Sequence, residues 1–280
     1  MTDPLPGGMP RVLIVAGSDS GGGAGIQADI KTCAAYGAYA ATAITAVTVQ
    51  DTRGVGAVHP VPATVVAGQI DAVLGDIGAD AVKIGMLGGV GVAEAVLDAL
   101  AGFDGPVVLD PVLVATSGDA LGDEAVSAFI RDRMMPRAAV VTPNLPELAA
   151  LTGQETPGEG TRTLEDVEAA ARALLGIGAG AVLAKGGHAD TDTLTDLLVT
   201  RGGTVRIDHP RWDTRHTHGT GCTLASAVAA GLAAGASLED AARDAVAYVA
   251  AAIAHAPGLG AGHGPVRHDL ARTGAGWAPG

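Results

Sequence analysis

The chain has 280 residues, a formal net charge of −13, and 48% hydrophobic residues with only 2% aromatic. Such acidity argues against a nucleic-acid-binding surface, and no run of about 20 apolar residues is available to span a membrane. Two cysteines, Cys33 and Cys222, are too few for a disulfide framework and fit a reducing, cytoplasmic setting.

Short Val/Ile-rich runs alternate with longer Ala-rich stretches of helical spacing. The first run, 12–17, predicts a strand, and 25–36 a helix stopped by Gly37. A second strand falls within 40–50. Helix and strand then alternate as 63–74 and 81–85, 90–100 and 107–110, 123–134 and 139–142, 164–175 and 181–185. Runs 194–200 and 204–208, joined by Arg201-Gly202-Gly203, read as a hairpin. Helices at about 220–234 and 238–254 follow. Near-continuous apolar strands between helices predict an α/β fold in three α/β/α layers around a mostly parallel sheet. The expected domain covers 11–268, with flexible termini at 1–10 and 269–280. The Gly/Pro-rich tail from Ala256 is expected to be partly mobile, and the Pro/Gly-rich start does not read as a secretory leader.

Ligands of open parallel sheets bind at the carboxyl ends of the strands. Here six strand ends carry polar residues or glycine: Gly17-Ser18-Asp19, Val49-Gln50-Asp51, Lys83-Ile84-Gly85-Met86, Leu109-Asp110-Pro111, Thr142-Pro143-Asn144 and Lys185-Gly186-Gly187-His188. One such end is unremarkable, whereas six place a site at that edge.

The segment His216-Thr217-His218-Gly219-Thr220-Gly221-Cys222 runs straight into an Ala-rich helix. Its small residues leave the first-turn amides pointing forward, a ready anion site. Cys222 in that turn is expected to have a lowered pKa. A zinc reading of His216, His218 and Cys222 matches no common ligand spacing. Gly21-Gly22-Gly23-Ala24-Gly25 formally touches a dinucleotide fingerprint, but Ser18 to Gly22 separate it from the strand, and no GK[ST] follows. It reads as a tight loop closing on a small ligand. Asp29, one helical turn from Cys33, faces that ligand or is a surface carboxylate, whereas Cys33 reads as core. Asn144 and Glu147 suit either a hydrated Mg²⁺ or a helix cap, and Asp110 is a second carboxylate for Mg²⁺. Only three of the 17 basic residues are lysines, which singles out Lys185 at a strand end as a phosphoryl contact.

Taken in register with Ala16-Gly17-Ser18-Asp19-Ser20 and Gly25-Ile26-Gln27-Ala28-Asp29, these motifs resemble the bifunctional hydroxymethylpyrimidine kinase/phosphomethylpyrimidine kinases of thiamine synthesis, in the ribokinase-like superfamily. The resemblance runs from about Arg11 to His268. It implies ATP- and Mg²⁺-dependent phosphorylation of 4-amino-5-hydroxymethyl-2-methylpyrimidine and then of its monophosphate, by a homodimer acting on small molecules. It implies a pyrimidine pocket lined by Gly17, Asp29, Gln50 and Met86. Nucleotide contacts fall on Asp110, Asn144, Glu147, Lys185 and Thr217, with Asp110 and Glu147 on Mg²⁺ through water. The anion hole comprises Gly219, Thr220, Gly221 and Cys222, with Lys185 and Cys222 in the chemistry. Most ribokinase-like enzymes have an Asp where Cys222 stands, so Cys222 either deprotonates the substrate hydroxyl or only orients it. Residues 112–123 resemble a flap over the site. A pyridoxal kinase is the alternative, since pyridoxal is also a flat heteroaromatic with a hydroxymethyl arm. A non-catalytic pyrimidine-binding protein has no need of Asn144, Glu147, Lys185 and Cys222 together. A dinucleotide-dependent oxidoreductase is more distant.

Overall fold

The computed structural model describes residues 8–113, 124–153, 163–186, 193–274 and 276–280. The expected flap falls, from residue 114 on, outside the described residues, as do Gly187 and His188.

Strand β1 (Arg11–Asp19) explains the architecture. Its side chains alternate: Leu13 and Val15 enter one core cluster, while Val12, Ile14 and Ala16 enter another on the opposite face. A strand buried on both faces must be apolar throughout. The other strands are β2 (Tyr39–Asp51), β3 (Gly54–Pro60), β4 (Ala81–Ile84), β5 (Val107–Leu109), β6 (Val140–Val141), β7 (Ala181–Ala184), β8 (Thr193–Thr200) and β9 (Gly203–Pro210). They form one nine-stranded sheet in the order β3-β2-β1-β4-β5-β6-β7-β8-β9. From β2 to β7 every pairing is parallel; the β2–β3 pairing at one edge and the β7–β8 and β8–β9 pairings at the other are antiparallel.

The helices are α1 (Gly25–Ala35), α2 (Ala63–Asp76), α3 (Val90–Ala99), α4 (Glu124–Phe129), α5 (Leu145–Thr152), α6 (Leu164–Ile177), α7 (Thr220–Ala233) and α8 (Leu238–Ala254). Helices α1, α7 and α8 cover one face of the sheet and α2 to α6 the other, the expected three layers. The chain after α4 departs from a regular helix. It widens into a π turn at Ile130–Met134 and tightens into a 3-10 turn at Met135–Arg137. Pro136 lies in that last turn and lacks the N–H that a continuing helix needs.

Two elements were not expected from the sequence: β3 and a terminal hairpin of β10 (Leu270–Thr273) and β11 (Gly276–Pro279), while α5 follows the helix-cap reading of Asn144 and Glu147. The hairpin lies within the terminus 269–280, where no element was expected. Its anchor is aromatic, because the Trp277 ring packs 4.8 Å from Tyr36 and 4.7 Å from Tyr248. Trp277 Nε1 also donates to Asp244 at 3.2 Å, and Arg272 pairs with the same carboxylate. Upstream, His218 N–H donates to Gly264 O, and the Tyr248 hydroxyl donates to His268 O. The tail is thereby laid against α8 and the turn before α7.

Removing this anchor tests the account. Trp277→Ala is expected to lower stability by about 1–3 kcal/mol, less than a fully buried tryptophan would cost. Thermal unfolding followed by circular dichroism is the measurement; an unchanged melting temperature would mean the hairpin contributes nothing.

Candidate active site

Helices α5, α6 and α8 have their first amides capped by Asn144, Thr163 and Ser237. Helix α7 has neither a side-chain cap nor an acidic residue in its first turn. Thr220 N–H reaches Thr217 O at 3.3 Å, but among the described residues the N–H groups of Gly221 and Cys222 have no partner. The end of α7 therefore presents free donors and a positive dipole end to the strand-end edge.

This bare end is held in place by a contact that only glycine permits. Gly219 has φ +84°, and a Cβ there would lie 1.8 Å from Gly23 O. A Cβ on Gly23 would lie 2.5 Å from His218 Cδ2. The glycine-rich loop thus closes on the turn before α7. Asp19, a residue that motif reading passed over, organises the loop. Its carboxylate accepts from the N–H groups of Gly21, Gly23 and Ala24 at 2.7, 3.0 and 2.9 Å, and His218 Nε2 lies 2.9 Å away. Burial would raise this carboxyl, but the His218 contact and the loop amides hold it below its ordinary pKa. The available signal was its place at a strand end, directly before a run of small residues.

Beside the α7 terminus lies a charged cluster. Lys185 Nζ is 3.2 Å from Asp110 Oδ1 and 3.7 Å from Glu147 Oε2. A Cβ on Gly221 would be 3.2 Å from that same ammonium and 3.5 Å from Asp110 Oδ2. Residues from β7, the β5 end, α5 and α7 thus meet, as the sequence suggested for Lys185, Asp110, Glu147 and Gly221. Burial works against the Lys185 charge, yet Asp110 and Glu147 raise its pKa above the ordinary value. Glu147 is pushed up to about 7 by burial, with Asp110 adding to the effect against Lys185.

The cluster fits a hydrated Mg²⁺, which takes one or two carboxylates and completes its shell with water and phosphate oxygens. Thr142 and Lys185 both bond Asp110 through Oδ1, so among the described residues Oδ2 carries no hydrogen bond. No group of three or more acidic, His or Cys side chains suited to a metal occurs among the described residues. Among these residues neither a cage made of protein alone nor a zinc cluster of His216, His218 and Cys222 is found.

Other expected residues separate by role. Asn144 Oδ1 accepts from Glu147 N–H, and Glu147 Oε2 accepts from Asn144 N–H, both at 2.8 Å. This is a capping box, so Asn144 acts as a helix cap while Glu147 serves both cap and cluster. Thr217 contributes its carbonyl to the turn. Gly186 meets β8, since a Cβ there would lie 1.9 Å from Thr195 O. Gly17 and Met86 are neighbours, with a Cβ on Gly17 falling 3.3 Å from the Met86 sulfur. Gln50 Oε1 accepts from Thr48 Oγ1 at 3.0 Å. Asp29 is fully buried against Lys83 and Ser226 rather than lying on the surface.

Cys222 departs most from its sequence reading. Its thiol is pushed up to about 11 by burial, and the carboxylates of Asp29 and Asp110 add to this against Lys83 and the Gly25 N–H. A helix terminus alone would lower it; its surroundings reverse the sign.

Comparison with known proteins identifies the family. The phosphomethylpyrimidine kinase family matches residues 19–267. A hydroxymethylpyrimidine/phosphomethylpyrimidine kinase of Streptomyces coelicolor is 48% identical over 97% of this chain and 99% of its own. The Escherichia coli protein of the same description is 44% identical over 92% of this chain and 97% of its own. Among solved structures, the ADP complex of Bacillus subtilis pyridoxal kinase superposes with a TM-score of 0.86 at 32% identity, covering 94% of this chain and 98% of that one.

The Cys222 environment has a measurable consequence. Iodoacetamide should label Cys222 slowly at pH 7.5, with the rate rising about tenfold per pH unit up to about pH 10, because the thiolate is the nucleophile. Peptide mass spectrometry reads the rate, and rapid labelling that levels off below pH 8 would contradict the raised pKa.

Proposed function

The chain belongs to the phosphomethylpyrimidine kinase family, and we propose that it phosphorylates hydroxymethylpyrimidine and then the monophosphate so formed, at the α7 end of the sheet. The observation that carries this reading is the meeting of Lys185, Asp110 and Glu147 with the uncapped Gly221-Cys222 turn. An anion-binding helix end beside a cation and two carboxylates is a phosphoryl-transfer arrangement.

Mg·ATP, when bound, supplies the phosphoryl group and a divalent cation that offsets its charge. Asp110 and Glu147 would hold that cation through water. The Gly221 and Cys222 amides donate to oxygens that carry charge as transfer proceeds. The Lys185 ammonium, fixed between two carboxylates, adds a positive charge at the same place. Cys222 keeps its proton at neutral pH and orients the substrate hydroxyl through Sγ rather than removing its proton. Strong base catalysis is not obligatory in a loose transition state. An arm ending in hydroxyl or in phosphate faces the same turn, so one site serves both steps. Gly17, Met86 and Gln50 lie along the strand-end edge as the pyrimidine wall, Gln50 offering an amide donor and acceptor to the aminopyrimidine. Under this reading the protein works as a cytoplasmic homodimer on free small molecules.

The structural likeness to a pyridoxal kinase favours a second reading, phosphorylation of pyridoxal. ATP consumption by purified protein with Mg²⁺ separates the two, using hydroxymethylpyrimidine, its monophosphate and pyridoxal with products resolved by mass. Two successive phosphates on the pyrimidine are expected; phosphate on pyridoxal alone would overturn the assignment. In the same assay Lys185→Ala should lower kcat by about 10²–10³-fold, as for loss of one charge-stabilising donor, with its circular dichroism spectrum retained. Cys222→Ala should lower kcat by about tenfold or more and change KM less, since orientation acts in the transition state. An unchanged kcat would remove Cys222 from the reaction.

A further inference from the structure

Beneath the first turns of α7 lies a buried polar triad. Lys83 Nζ sits 2.9 Å from both oxygens of Asp29, and Ser226 Oγ donates to Asp29 Oδ1 at 2.7 Å. All three residues are fully buried. They join β4, α1 and α7. Ser226 follows Cys222 by one helical turn, on the same face of α7.

The rest of α7 explains why such a link is needed. Ala225, Ala227, Ala229 and Ala230 make up much of its buried surface. Small side chains offer few knobs for interlocking, so packing alone fixes the rotation of such a helix weakly. Hydrogen bonds to an ion pair are directional and fix it strongly. A rotation of roughly 10° moves a backbone atom at about 2 Å from the helix axis by about 0.4 Å and swings its N–H by the same angle, while a side-chain tip at about 5–6 Å moves by about 1 Å, and misplacement on the latter scale costs about 10²-fold in rate. The triad is also closely fitted, because a Cβ on Gly85 would lie 2.9 Å from Lys83 Nζ. A buried ion pair is commonly no more stabilising than apolar residues of the same volume, so its use here points to specificity of setting.

We propose that Lys83, Asp29 and Ser226 are positioning residues that fix the rotation of α7, and through it the aim of the Gly221 and Cys222 amides and of Cys222 Sγ. The assignment rests on the kinase reading for its kinetic arm and stands apart from it in its labelling arm. Ser226→Ala removes the link to α7 while leaving the Lys83–Asp29 pair and its charge in place, and alanine suits a helix interior. Lys83→Met/Asp29→Leu removes the pair together, without leaving one buried charge behind.

Both variants should lower kcat at least tenfold while KM for ATP and for the pyrimidine changes less than threefold. Cys222 in Ser226→Ala should be alkylated at a rate at least threefold different from the unaltered chain. An unchanged kcat or an unchanged labelling rate in Ser226→Ala overturns the proposal. A rise in pyrimidine KM that matches the loss in kcat also overturns it, and makes Asp29 a substrate ligand. Should the double variant fail to fold, Ser226→Ala decides. If the unaltered chain turns over no pyrimidine, the substrate assignment fails alone, because the labelling rate reads α7 without substrate.

Discussion

The closure of one glycine turn on another is the constraint on which the site depends. Gly23 O occupies the place where any side chain on Gly219 would begin, so the loop after β1 and the turn before α7 form one continuous layer. Asp19 holds the loop half of that layer through three amides and meets His218 from the other half. With the layer in place, α7 starts above the strand ends with its amides uncovered. The C-terminal segment braces the same turn from behind, through Gly264 O and through His268 Nε2 at 3.0 Å from Thr223 Oγ1. Thr223 Oγ1 also donates to Gly219 O, so His268 must supply the proton in its own contact. That fits an imidazole kept neutral, its pKa lowered to about 4 by burial.

The second constraint is electrostatic. A chain of net charge −13 has to receive polyanionic substrates, and long-range attraction does not help it. Two of its three lysines stand at the site instead. Lys83 and Lys185 both lie within reach of the α7 start, each held by carboxylates whose attraction outweighs the burial that would neutralise it. Much of the remaining acidity sits on outer helix surfaces, as in the exposed Glu168–Arg172 and Glu239–Arg243 pairs.

The sequence was informative wherever the signal was periodic or local. The two-sided strands and the Ala-rich helices have strong periods, and the anion turn, Lys185 and the carboxylates stand at strand ends. Strand β3 was hidden because Gly54–Pro60 is rich in glycine, largely exposed and paired only to β2. The terminal hairpin reads by composition as loop, and only the meeting of Trp277 with Tyr36 and Tyr248 makes it an element. The pairing of Lys83 with Asp29 spans 54 positions and leaves no spacing to read. For Cys222 the local rule was sound but incomplete, since its outcome was set by burial and by carboxylates from distant segments.

The aromatic stack at the C-terminus also determines what light reports about this molecule. Of its two tryptophans, Trp212 is exposed on a loop, and Trp277 is wedged between two tyrosines on the terminal hairpin. Neither lies among the residues assigned to catalysis. The Trp277 share of the ultraviolet emission, over a contribution from solvent-exposed Trp212, is therefore a gauge of the seam between tail and α8, with Tyr36 and Tyr248 as energy donors to the Trp277 indole. A dye or reporter placed elsewhere is needed to watch the catalytic edge itself.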